Sequence, residues 1–360
     1  MTDMVQNTDN LSDTRTETGK SLREEVKIMS DIHNDTTAGL SPRGLADKYL
    51  RSGTAILRAL PGPLLGLILV CAVFSYLSPY FLTSRNITNI FSQVSEIGIM
   101  AAGAALVIII GGIDLSVGAV LAVTLMVNAW LYRDFGVPFG LSMLIGLSVG
   151  AFVGLVNGIL STFGRIQPFV ATLATMSACT GLALFVTSGG PVTGFPTWFS
   201  SLAFAQIAGI PLQTVILVSV YLIIAYWLNF RPSGRALYAI GGNEEAARLS
   251  GLNVRRLKVM VYVIAGLLAA IAGLIIAARL DSAQPNAGTE DLLSVIAVVV
   301  IGGASLAGGS GGMFGTFIGL LIIGVLRNGM ALINVSPNLQ PVVIGVAIII
   351  AVMMDRRSKH

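Results

Sequence analysis

Few side chains in this sequence could do chemistry, and their placement argues against catalysis. The two histidines, His33 and His360, stand in the polar stretches near either end. Cys71 and Cys179 fall in separate apolar runs. A metal site needs convergent ligands and a nucleophile needs an activating neighbour, and neither pair offers either. No catalytic residue and no metal ligand is therefore expected. Thr18-Gly19-Lys20-Ser21 has the ending of a phosphate-binding loop, but the position that must be glycine is Thr14, and no strand precedes it. The chain is not expected to hold ATP, or any other cofactor, itself.

The remaining polar groups of interest sit at the edges of apolar runs. Asp114 lies between two such runs, where an ionisable group is costly and usually functional; by sequence it is the most deeply embedded acid. It also precedes a helix, so a capping role explains it as well. Ser116, Asn157, Gln167, Asn328 and Gln340 lie near run ends and join Asp114 as candidates for lining a polar path. Gln167 and Gln340 each precede a proline, which the start of a helix explains equally.

One polar segment carries dense local signals. Within 231–258, the run Gly241-Gly242-Asn243-Glu244-Glu245-Ala246-Ala247-Arg248-Leu249-Ser250-Gly251 reads as a short capped helix. Asn243 is a good N-cap. Glu244 and Glu245 suit the positive end of the helix dipole and Arg248 the negative end. Gly251 is placed to terminate it in a left-handed conformation. Arg255, Arg256 and Lys258 follow as anchors at a membrane edge. So much local order suggests a preformed knob for a partner, although an ordinary structured loop would use the same residues.

Lipid must position these groups. Of 360 residues, 54% are hydrophobic and only 11% charged, against about 25% charged in a soluble domain. Runs of membrane length, about 20 residues each, fall at 61–78, 91–110, 115–132, 139–160, 168–187, 213–230, 258–278, 291–307, 313–330 and 339–354. The expected fold is an all-α polytopic membrane protein of about ten transmembrane helices. Residues 1–50 carry nine acidic and six basic residues with little apolar periodicity and read as a disordered cytoplasmic tail; the membrane domain is expected over 51–360. The net charge of +4 is scattered over loops and tails, so no nucleic-acid partner is expected.

Charge asymmetry sets the expected orientation. With the N-terminus inside, 18 of the 22 Lys and Arg fall on inner segments, and only Arg85, Arg133, Arg279 and Arg327 fall outside. By the positive-inside rule both termini are cytoplasmic. The loop 188–213 has no Lys or Arg, and its Phe195, Trp198 and Phe199 suit a membrane–water interface. Glycines recur every fourth residue at Gly146, Gly150, Gly154 and Gly158, and again at Gly311, Gly315 and Gly319, which lets helices approach closely in lipid. Glycine-rich breaks at 111–112 and 308–312 read as loops or as unwound points in the membrane. Asn157-Gly158 before Gln167-Pro168, matched by Asn328-Gly329 before Gln340-Pro341, suggests an inverted repeat. A second match, between 110–118 and 301–309, lies on one side only.

Four blocks resemble the permeases of ribose-type sugar ABC importers: 111–118 (Gly-Gly-Ile-Asp-Leu-Ser-Val-Gly), 234–251, 278–285 (Ala-Arg-Leu-Asp-Ser-Ala-Gln-Pro) and 301–309. They occur in order from about residue 60 to 355. The resemblance implies a multi-pass permease of the bacterial inner membrane that translocates a monosaccharide or related polyol. It implies a dimer with a second copy or a similar permease, a separate ATP-binding subunit inside and a solute-binding protein outside. The family's coupling element maps onto Gly241 to Gly251, with Glu245-Ala246-Ala247 resembling a Glu-Ala-Ala coupling motif; the longer Ile-x-Leu-Pro ending of some relatives is absent. The rival class is an ion-coupled secondary transporter of a small polar solute, which would need no such knob.

Overall fold

The computed structural model describes residues 62–347 and 349. The expected tail over 1–50, the phosphate-loop look-alike and His33 and His360 lie outside the described residues.

Within them the protein is a bundle of helices: α1 (Gly62–Leu77), α2 (Ser84–Ile109), α3 (Val117–Phe135), α4 (Phe139–Thr162), α5 (Pro168–Phe185), α6 (Thr197–Leu202), α7 (Leu212–Phe230), α8 (Pro232–Gly242), α9 (Glu244–Leu249), α10 (Val254–Leu280), α11 (Asp291–Ile301) and α12 (Met313–Leu332). A short 3-10 turn at Pro337–Leu339 leads into a helical run over 340–347. Six helices, α2, α4, α5, α7, α10 and α12, are long and apolar enough to cross a membrane. Two antiparallel two-residue pairs complete the elements. β1 (Val192–Thr193) pairs with β4 (Ser282–Ala283) and so ties two loops together, and β2 (Gln206–Ile207) pairs with β3 (Ile210–Pro211).

Local sequence explains the ends. Thr83 caps α2 by accepting the Asn86 amide N–H at 3.3 Å, and Asn253 caps α10 by accepting from Arg256 N at 3.2 Å. Pro168 opens α5, where its missing N–H costs nothing. Gly136 ends α3 at φ 64°, a left-handed conformation that only glycine adopts without strain.

Close packing follows the glycines. A Cβ at Gly150 would stand 2.7 Å from the Gly266 carbonyl oxygen, and one at Gly158 would stand 2.8 Å from the Val259 Cα. Gly154 abuts the Tyr262 carbonyl in the same way. From Gly150 onward the stripe on α4 is thus the seat of α10, and Gly146 faces the Thr124 carbonyl of α3. Gly315 and Gly319 of α12 meet Gly302 and the Val298 carbonyl at the end of α11. With apolar lipid offering no drive for helices to associate, such backbone approach lets dispersion hold them.

Two expectations need correction. The stretch 291–307 is helical only to Ile301. An 11-residue helix rises only about 16 Å, roughly half of a hydrocarbon core. The glycine-rich chain beyond it packs on backbone: Gly309 N–H donates to the Ile109 carbonyl at 2.9 Å, so the breaks near 111 and 308 meet. Phe195 and Phe199, expected at an interface, instead turn inward and are buried, with Phe199 and Phe139 ring centroids 4.7 Å apart. Only Trp198 of the three stays half exposed.

Candidate functional site

The residues 241–251 divide between two elements. Pro232 opens α8, and the Trp227 indole N–H donates to Ser233 Oγ at 2.9 Å across the bend from α7. At its far end Gly241 lies against the Ile109 carbonyl and the Gly309 amide with no room for a Cβ, and Tyr238 donates its hydroxyl to the Gly311 carbonyl at 3.1 Å. Gly241 therefore seats α8 on this backbone, and Gly242 follows it, exposed, at the end of the helix.

The projecting part starts at Asn243, whose Oδ1 accepts the Ala246 amide N–H at 2.9 Å. Glu245 takes both a 3.0 Å and a 2.5 Å bond from the Arg248 guanidinium. These bonds hold the Glu245 carboxyl below its ordinary range and raise Arg248 above its own. Glu244 pairs with Lys258 at 2.9 Å, fastening α9 to the start of α10. Ala247 is buried beneath the helix, Ser250 donates back to the Ala246 carbonyl at 2.9 Å, and Gly251 leaves at φ 83°. Leu249 is 75% exposed at the tip, a large apolar side chain on an otherwise charged surface.

Three path candidates converge where α3, α4 and α5 meet. Asp114 Oδ1 accepts the Ser116 amide N–H at 2.8 Å and the Ser116 hydroxyl at 2.6 Å. Asn157 donates from Nδ2 to Ser116 Oγ at 2.8 Å, and Thr175 donates to Asn157 Oδ1 at 2.6 Å. Thr172 joins as well, donating to the Ile113 carbonyl at 3.1 Å and accepting the Leu115 amide N–H at 3.2 Å. Ser116 occupies the N-cap of α3 with no side-chain cap of its own; Asp114 fixes it from two residues upstream. Thr172 and Thr175 carry no sequence signal beyond being hydroxyls one turn apart.

The other three candidates stand elsewhere. Gln167 lies at the start of α5 on a groove of about 740 Å³ that also borders Arg248 and Lys258. Asn328 on α12 and Asn86 on α2 exchange two amide bonds, each 2.9 Å, so Asn328 ties two helices together. Gln340 lies on a cavity of about 490 Å³ at the opposite end of the bundle from α9.

That cavity holds four charged groups in two pairs. Arg279 of α10 donates to both oxygens of Glu96 on α2, at 2.6 and 3.1 Å. Arg327 of α12 donates to Asp291 at 3.1 Å and to Ser294 at 2.6 Å, both on α11. Glu96 is 4% exposed against 9% for Asp114, so Glu96, not Asp114, is the most deeply embedded acid among the described residues. The signal was present: Arg279 and Arg327 are two of the four cations that break the inside bias, and Glu96 interrupts an apolar run.

A bundle of apolar helices with a polar cavity at one end and a capped, projecting helix at the other is the build of a polytopic membrane transport protein. Residues 86–352 match the family described as branched-chain amino acid transport system / permease component. The ribose import permease protein RbsC of Bacillus subtilis (strain 168) is 47% identical over 299 residues, 82% of this chain and 92% of that one. The ribose import permease protein RbsC of Escherichia coli (strain K12) is 44% identical over 303 residues, 82% and 93% of the two chains. The D-allose transport system permease protein AlsC of the same organism is 39% identical over 291 residues, 81% and 89% of the two. The chain belongs to this permease family and is a membrane permease of the ribose-type ABC importers, not an ion-coupled secondary transporter. No solved structure matches it.

Proposed function

We propose that this chain forms the path by which an ABC importer moves a monosaccharide or related polyol across the bacterial inner membrane. It works as a homodimer or beside a similar permease. An ATP-binding subunit docks on α9 from the cytoplasm, and a solute-binding protein delivers cargo to the other face. ATP is spent by the partner alone. Relatives named for ribose and for D-allose support the cargo class.

The observation that carries this reading is α9 itself. It is exposed, internally capped, and clamped through α8 to the backbone of α2 and the 308–311 turn. A push on such a helix is transmitted rigidly, because packed backbone has little give. Closure of the ATP-binding subunits would move α9 and α8 together and rock the helices they seat against.

A ten-crossing arrangement with both termini inside fits the chain order, with the short α11 and the glycine-rich chain that follows it to 309 making one crossing between them. The pairing of β1 with β4 supports one shared end for the 186–211 and 281–290 loops. The contacts among Ile109, Tyr238, Gly309 and Gly311 support a shared opposite end for the cytoplasmic loops. Asn157 and Asn328, each near the C-terminal end of its helix, are compatible with an inverted repeat.

Leu249→Asp tests the docking. Leu249 is 75% exposed and has little packing to lose, so the chain should reach the membrane in parental amount. The ATP-binding subunit should no longer co-purify, and uptake of radiolabelled D-ribose should fall at least tenfold. Parental co-purification in that variant would refute α9 as the docking element.

A further inference from the structure

The cavity at the end of the bundle opposite α9 has the chemistry of a binding site. Two guanidinium–carboxylate pairs form its walls, drawn from four helices: Glu96 with Arg279, and Asp291 with Arg327. Glu96 is buried and the other three groups are partly so; ionisable groups set among membrane helices are costly and often mark solute paths. A lone pair linking two helices could be structural. Here two pairs flank one space of about 490 Å³, within the range of small-molecule pockets, about 300–1,000 Å³.

The charge arrangement selects the ligand class. Both oxygens of Glu96 are taken by Arg279, and Arg327 is shared between Asp291 and Ser294. With each guanidinium already paired, an anionic ligand would have to displace a carboxylate held by charge-assisted bonds. A cation would find Glu290 at the rim and two arginines within. The amides of Gln284, Asn286 and Gln340 also border the space, and among the described residues their side chains have no hydrogen-bond partner. Amides and the remaining lone pairs of carboxylates donate and accept in many directions, which matches a solute carrying hydroxyls on several faces. Among the described residues no aromatic side chain borders the cavity, so a sugar ring finds hydrogen bonds there and no stacking platform. Binding would be weak, as passage requires: a solute must leave as readily as it enters.

We infer that this cavity is the receiving site for a neutral polyhydroxylated solute, filled from the non-cytoplasmic face before the path opens. The inference rests on the permease reading and names the place where cargo first meets this chain. Gln284 and Asn286 stand at its loop side, and the Glu96–Arg279 pair closes its depth.

Cysteine protection tests it. In a chain with Cys71→Ala and Cys179→Ala, Gln284→Cys is held in lipid nanodiscs with the ATP-binding subunit and labelled by a charged, membrane-impermeant methanethiosulfonate. D-Ribose, D-allose or myo-inositol at 20 mM should slow labelling at least threefold, and glycine betaine at equal osmolality should not. Ser201→Cys, exposed on α6, should label equally with and without sugar. The double variant Glu96→Gln/Arg279→Gln should abolish protection. Asn286→Cys serves if Gln284→Cys does not accumulate. Parallel uptake by the parent importer separates the two ideas. A sugar that is imported yet leaves labelling unchanged overturns the receiving site and leaves the permease reading intact. If none of the three is imported, the sugar reading fails, and protection alone decides the site.

Discussion

At the scale of single residues, the two embedded acids do different work. Asp114 arranges Ser116 through a single oxygen that accepts two bonds. Asp114→Asn keeps an acceptor for the Ser116 amide and should unfold near the parental midpoint in detergent. Asp114→Ala strands that amide and should cost about 1–3 kcal/mol, seen as a lower thermal midpoint. Uptake that survives in Asp114→Asn would leave the residue a purely structural part. Glu96 is bound by its partner instead. Glu96→Ala leaves the Arg279 guanidinium, about one-third exposed, without its counter-charge, and should destabilise by roughly 2–3 kcal/mol, below the full loss for a buried pair because water still screens the arginine. Removing both, Glu96→Ala/Arg279→Ala, should recover a good part of that loss. A double variant less stable than Glu96→Ala by the full cost of a second, independent deletion would mean the pair is not coupled.

At the scale of elements, the glycine stripe on α4 sets a sharp contrast within one helix. Gly154→Ala drives a methyl into the Tyr262 carbonyl of α10. Backbone cannot rotate away, so the helices must part, at a cost of about 1–3 kcal/mol or more. Gly140→Ala on the same helix meets nothing within 4 Å and should stabilise by up to ~1 kcal/mol through helix propensity. Detergent thermal unfolding of the pair should show shifts of opposite sign. The stripe's spacing was visible in the sequence. That α10 was its partner was not, because more than a hundred residues separate Gly154 from Tyr262 and apolar helices carry no address in their composition. The half-length of α11 was partly legible: the apolar run continues through Ile301, but Gly302-Gly303 follows it, and Gly303 turns out of the helix at φ 87°, as a glycine terminator does.

At the scale of the whole molecule, the 18 to 4 division of Lys and Arg makes a topological prediction. A fluorescent reporter fused after His360 should glow, and an alkaline phosphatase fusion at the same point should be inactive, since it folds only outside the cytoplasm. Phosphatase fused within the 188–213 loop should be active. The reverse pattern would invert the bundle and put α9 on the wrong face for an ATP-binding partner.

The lipid solvent, the helical class, the capped helix at 243–251 and the family resemblance are all legible in the sequence, because each is written in local composition and spacing. Hydropathy, caps and charge bias act over a few residues and need no knowledge of neighbours. Tertiary structure decided which polar groups share a site. Asp114, Ser116 and Asn157 came together with Thr175, while Asn328 went to Asn86 and Gln340 to the far cavity. It alone paired Glu96 with Arg279 across 183 positions. The reason is physical: in lipid a charge must find its partner wherever the bundle brings one, and chain order does not say where that is.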